Sequence, residues 1–187
     1  MSYIEDYGLT SPSRKYSLLA LALKDRKNCK EIDIIHLQKI IRYFEYLKKS
    51  SEIKYSYFKY GVVSHELAEN LDTLLESGLV DKEDDTYSLT EEGQEIAEKM
   101  VSSLDKGELE KLTFAKQQLN DLTVDELMYF MYHLIPESVV NSIEFPRLEK
   151  KRVPLVQSLF LKGRVNSATA AKWLGISEKD FIDSLCR

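Results

Sequence analysis

The stretch from Leu74 to Ile96, LLESGLVDKEDDTYSLTEEGQEI, decides how the rest of the chain is read. It begins on an apolar stripe in which Leu67, Leu71, Leu74 and Leu75 recur at the spacing of one buried helix face. Ser64 stands where the helix HELAENLDTLLESG needs an N-cap acceptor, and Gly78 suits the left-handed turn that stops it. A short apolar start at Leu79 and Val80, a polar tip at 82–85 and the alternation of Tyr87 with Leu89 predict two strands joined by a turn. Thr90 then caps a helix whose first turn holds Glu91 and Glu92 at the positive end of the helix dipole.

Upstream, KYSYFKY at 54–60 mixes lysines with aromatics as a nucleic-acid groove does. If it is extended, Tyr55, Tyr57 and Lys59 fall on one side and Ser56, Phe58 and Tyr60 on the other. Phe58 and Tyr60 are then the expected core pair, and Lys54 and Lys59 are left for a phosphate. Before it, IIHLQKIIRYFEYLKK places Ile34, Leu37, Ile41 and Phe44 at helical spacing, with Asp33 as its cap. Its opposite face carries Gln38, Lys39, Arg42 and Lys49. RKYSLLALALKD predicts one buried helix, capped by Ser13, after a flexible lead-in over residues 1–13.

The expected order is helix, helix, helix, two-stranded hairpin, helix. The stretch at 74–96 resembles the end of the third helix, the wing and the next helix of winged-helix regulators of the MarR and PadR kind. The longer pattern LQKIIRYFEYL…YFKYGVVSHEL…SGLV…YSLTEEG is similar to a looser group of uncharacterised winged-helix proteins, with a Tyr-Gly pair and a Ser before the third helix. The resemblance spans about residues 16–100. It implies a mostly α fold with a small β-hairpin, a winged helix-turn-helix domain followed by a helical extension. It also implies double-stranded DNA as partner and a homodimer.

The expected divisions are the lead-in, a winged-helix domain at 14–103, a helical extension at 104–146 and a C-terminal segment at 147–187. In the extension, Leu109, Leu112 and Leu119 line a charged helix, and Thr123 with Glu126 form a capping-box pair. The helices from Glu91 to Leu134 are the expected dimer seam. EFPRLEKKRVPLV, basic and interrupted by proline, is the expected boundary. Beyond it, ATAAKWLGIS resembles the first half of a helix-turn-helix and the alanine-rich helix pair of some small antitoxin-like proteins.

Composition sets limits. An apolar fraction of 43% with 30% charged residues is ordinary for a globular protein. No apolar run reaches the ~20 residues that span a bilayer, and the N-terminus lacks a signal peptide's basic start and apolar centre, so a cytoplasmic protein with no membrane partner is expected. Cys29 and Cys186 lack metal-site spacing and are expected to be reduced thiols. His36, His65 and His133 stand apart, the glycines form no phosphate loop, and KEDD at 82–85 lacks the alternation of a calcium loop. The expectation is a protein that is not an enzyme, with no catalytic residue, metal or cofactor.

Charge is unevenly spread. Residues 1–60 carry 12 Lys+Arg against 7 Asp+Glu, residues 61–110 carry 3 against 15, and residues 111–187 carry 11 against 9. The basic front, Arg14, Lys15, Lys39, Arg42, Lys48, Lys49, Lys54 and Lys59, supplies the candidate phosphate contacts. Asn70 and Thr73 on the third helix are the candidate readers of base edges. Glu66, Glu69 and Glu76 flank them, and the hairpin tip is acidic, which opposes the usual docking of a winged helix on DNA. Two functions from different classes follow: a DNA-binding transcriptional regulator, or a protein-interaction module or antitoxin-like partner that has lost DNA binding and holds a protein on its acidic face.

Overall fold

Most helices of this protein begin at a side chain that accepts a backbone N–H. In the computed structural model, which describes residues 3–58 and 61–185, Asp33, Ser64, Thr90, Asp105, Thr123 and Asn166 all do so. Each satisfies a donor that the first helical turn leaves unpaired. The chain is mostly helical with a small antiparallel sheet, and it divides into two units, residues 1–56 with 63–121 and residues 57–62 with 122–187.

The first unit contains α1 (Tyr3–Asp6), α2 (Pro12–Ala22), β1 (Ile32–Asp33) and α3 (Ile34–Lys48). A strand pair, β2 (Ser56–Phe58) and β3 (Gly61–Val63), marks the passage of the chain into and out of the second unit. Then come α4 (His65–Glu76), β4 (Val80–Glu83), β5 (Thr86–Leu89), α5 (Glu91–Ser103) and α6 (Lys106–Leu119). The sheet order is β1-β5-β4, with Ile32 opposite Tyr87 and Val80 opposite Leu89. The predicted hairpin is therefore present, and Asp84 turns it with φ 51°. Strand β1 was not anticipated, because two residues are too few to show an alternation.

Helix α2 is enclosed along its length: Tyr16, Ser17, Leu18, Leu19, Ala20 and Leu21 are all buried. Its start differs from expectation. Ser11 occupies the N-cap position without a side-chain cap bond, and Pro12 opens the helix. Ser13 instead donates to Glu66 Oε1 at 2.9 Å, so it ties α2 to α4. The expected lead-in contains α1 and a buried Leu9. Helix α6 lies along α3 and so belongs to this unit. Its Lys116 is buried and donates to the carbonyls of Ala20, Leu23 and Lys30 at 2.9, 2.6 and 2.8 Å. Burial presses this amine down to about 7, while three acceptors match the three N–H bonds of its charged form.

The second unit contains α7 (Val124–Leu134), a 3-10 turn (Pro136–Val139), α8 (Phe145–Glu149), α9 (Arg152–Leu161), α10 (Ser167–Leu174) and α11 (Glu178–Leu185). The expected boundary at EFPRLEKKRVPLV falls inside it: Pro146 and Pro154 sit near the starts of α8 and α9, where proline is tolerated. The capping box of Thr123 and Glu126 forms as predicted. Glu126 then bonds Ser158 and Lys162, the latter at 2.6 Å, joining α7 to α9. Trp173 meets Tyr129, Phe130 and His133, with the His133 ring centred 4.3 Å away. Gly175, at φ 68°, ends α10, and Phe181 of α11 packs edge-on against Phe160 of α9. Gly61, at φ 88°, lies so close to Met128 and Tyr132 that a Cβ would stand 3.1 Å from Met128 Cε.

Two consequences can be measured. A Cβ on Gly93 would stand 1.9 Å from the Leu79 carbonyl oxygen, which joins the start of α5 to the start of β4. Gly93→Ala will lower stability by about 1–3 kcal/mol, as forced overpacking does, read as a lower urea midpoint. His133 has its pKa lowered from 6.5, by burial first, with the Tyr129 carbonyl and Glu149 opposing. The neutral form is the folded one, so its stabilisation is complete above 6.5 and is lost as pH falls from 6.5 toward the lower folded value. Fluorescence of Trp173, the one tryptophan in the chain, will change with a midpoint below 6.5, and His133→Gln will abolish that transition.

Candidate nucleic-acid interface

The candidate contacts of the basic front separate once their surroundings are known. Lys39 is a correction: at 3% exposure it sits within the unit rather than on an outer face of α3. Its neighbour Gln38 is buried too and holds Ser64 through both ends of its amide, accepting from the backbone N–H at 3.1 Å and donating to the carbonyl at 3.3 Å. The apolar surround of Lys39 lowers its pKa to about 8. The helix is covered on more sides than its apolar stripe predicts, because α6 packs along it.

Lys48 is engaged. Its ammonium donates to Glu52 Oε1 at 2.5 Å, Glu108 Oε1 at 2.8 Å and the Tyr16 hydroxyl at 2.8 Å. Burial opposes its charge, but these bonds outweigh burial and raise its pKa. Lys15 lies 3.9 Å from Glu108 and over the Tyr16 ring, so it joins the same cluster from α2. Arg42 stacks over Tyr55 with its guanidinium carbon 5.0 Å from the ring centre. The adjacent Glu45 is fully buried and accepts the backbone N–H groups of Glu52 and Ile53 at 2.6 and 3.0 Å. These contacts fix the loop after α3.

The candidate base readers are engaged as well. Asn70 donates to Ser13 Oγ and to the Glu66 carbonyl at 2.7 and 2.8 Å, and its Oδ1 accepts from Arg14 Nε at 2.6 Å. Arg14, Ser13, Glu66 and Asn70 thus form one lattice between α2 and α4. Thr73 donates to the Glu69 carbonyl one turn back. Lys49 and Lys54 are exposed and enter none of these bonds; Lys59 and Tyr60 lie outside the described residues. Phe58, the other expected core aromatic, is 46% exposed, whereas Tyr55 is half-buried beneath the Arg42 guanidinium.

The opposite charge lies outward. Glu69, Asp72 and Glu76 of α4 are exposed, as are Asp81, Glu83, Asp84 and Asp85 of the hairpin and Glu91, Glu92, Glu95 and Glu98 of α5; His65, Lys82 and Lys99 are exposed among them. Lys82 lies over the Tyr87 ring, 5.2 Å from its centre. The acidity of these elements is legible by count in the sequence, whereas the packing of α4 on β4 and of α5 on β5 comes from the fold.

Among the described residues no group of three acidic, histidine or cysteine side chains is placed to hold a metal. Cys29 is a free thiol, and Cys186 lies outside the described residues. No helix is long and apolar enough to cross a membrane. No family model, curated protein or solved structure matches the chain.

Lys48 and Lys54 give a direct comparison. Lys48→Met will cost about 1–3 kcal/mol in urea unfolding, because it strips charged hydrogen bonds from Tyr16 and Glu108. Lys54→Met, on an exposed side chain, will change stability by less than about 0.5 kcal/mol.

Proposed function

We propose that the first unit is a winged-helix domain and that the protein is a non-enzymatic regulatory module which binds a basic protein surface through its acidic α4–hairpin–α5 face. The order of α2, α3, α4, the β4–β5 hairpin and α5, with β1 as third strand, supports the winged-helix reading. The resemblance at 74–96 concerns the same elements.

One observation carries the choice of partner: apart from His65 and Lys82, the exposed titratable groups of α4 and the hairpin are carboxylates, while the cationic front is largely committed inside the unit. Duplex DNA bound by the third helix and the wing would bring phosphates against Glu69, Asp72, Glu76 and the tip at 83–85, and affinity for DNA depends on Lys and Arg neutralising phosphates. A basic protein surface gains from the same field, which speeds encounter and excludes acidic competitors. DNA binding is the second reading, favoured by Lys49 and Lys54, which stay exposed at the end of α3 and before β2.

Titration against random-sequence duplex in low and high salt separates the two. The protein-partner reading expects no binding at low salt; binding that weakens steeply with salt overturns it in favour of DNA. In the positive arm, proteins retained by the native chain will be lost from a Glu69→Lys, Asp72→Lys, Asp84→Lys variant of unchanged helicity. They will be kept by Lys49→Glu, Lys54→Glu. Retention that survives the first variant removes the acidic face as the site.

A further inference from the structure

Glu45 of α3 is fully buried, and only one of its two carboxylate oxygens has hydrogen-bond donors. Oε1 accepts the backbone N–H groups of Glu52 and Ile53 at 2.6 and 3.0 Å. Among the described residues Oε2 has no partner, and the same holds for the buried Tyr55 hydroxyl and the buried Nε of Arg42. These atoms share one place. Arg42 and Glu45 lie one turn apart on α3, and the Arg42 guanidinium carbon is 5.0 Å from the centre of the Tyr55 ring. Burial first, and then the Glu45 carboxylate, raise the pKa of the Tyr55 hydroxyl, with Glu66 of α4 adding to them and Arg42 opposing. The hydroxyl therefore faces Glu45 without closing a direct bond to it.

Buried polar atoms left unanswered cost stability, most of all at a carboxylate. The chemistry of the three groups narrows what answers them. A metal ion does not fit, because Arg42 Nε only donates and has no lone pair to offer. An anion does not fit beside Glu45 and Glu66. Arg42 already supplies the countercharge to Glu45, so the ligand needs no charge of its own. What fits is a neutral molecule that donates to Glu45 Oε2, accepts from Arg42 Nε and meets the Tyr55 hydroxyl in either sense. A water does this with about three hydrogen bonds, the number that internal waters usually make. We propose that one internal water bridges Glu45 Oε2, Arg42 Nε and the Tyr55 hydroxyl.

Its position gives it a role. Glu45 Oε1 holds Glu52 and Ile53, and the water adds Tyr55, so the segment from α3 to β2 is tied at three residues to one buried carboxylate. The exposed Lys49 and Lys54 belong to that segment, and the node fixes where they stand. This inference is independent of the partner assigned to the first unit.

A crystal structure of the full chain that resolves ordered solvent will show one peak within hydrogen-bond distance of all three atoms. In solution, the Tyr55 ring protons of the native chain will show cross-relaxation to a water of long residence. Tyr55→Phe, which removes the hydroxyl as a relay, will keep the signal at the ring, because Glu45 and Arg42 still hold the water. A Tyr55 hydroxyl bonded directly to Glu45 Oε2, with no density among the three atoms, overturns the proposal. So does a peak that refines as an ion, or cross-relaxation that disappears with the hydroxyl.

Discussion

The architecture of the first unit depends on α6 being held against α2 and α3, and two lysines hold it. Lys116 reaches across to three backbone carbonyls at and beyond the end of α2, among them those of Ala20 and Leu23. A helix end leaves its last carbonyls unpaired, and burying them without donors is costly. An ammonium with three N–H bonds answers that need from another helix. At the other end of α6, Glu108 receives Lys48 from α3 and Tyr16 from α2, so one carboxylate joins three helices. With α6 along it, α3 is covered on more of its surface than its sequence pattern predicts, and Lys39 is enclosed.

This arrangement has a consequence for the surface. Cations drawn inward as donors are no longer available to phosphates, while the carboxylates of α4, the hairpin and α5 stay outside. The chain's net charge of −5 thus understates how acidic that face is. Electrostatic reach depends on where charges sit as much as on their sum, and like charges gathered on neighbouring elements reinforce one another. The partner proposed for the first unit, a basic protein surface, follows from charges the fold leaves exposed.

Local features were read correctly where chemistry acts between near neighbours in the chain. Asp33, Ser64, Thr90 and Thr123 cap as expected because a cap needs only its own side chain and an N–H two or three residues on. The hairpin at 80–89 was legible for the same reason. The cap expected at Ser13 failed because Glu66 and Asn70, more than fifty residues away, claim its hydroxyl. Alternation points Phe58 inward, yet Tyr55 is the more enclosed of the two, its ring stacked under Arg42.

By itself the sequence determined the order of elements, most helix starts, the hairpin and the polarity of charge along the chain, all set by short-range hydrogen bonding and hydrophobic period. Only the tertiary structure decided which cations are spent internally, since Lys48, Lys116 and Arg14 find their partners on distant elements. It also decided that Leu112 and Leu119 of α6 are core while Val153 and Leu161 of α9 are exposed. An apolar residue is written the same way whether it is covered or not, and burial is fixed by what packs against it.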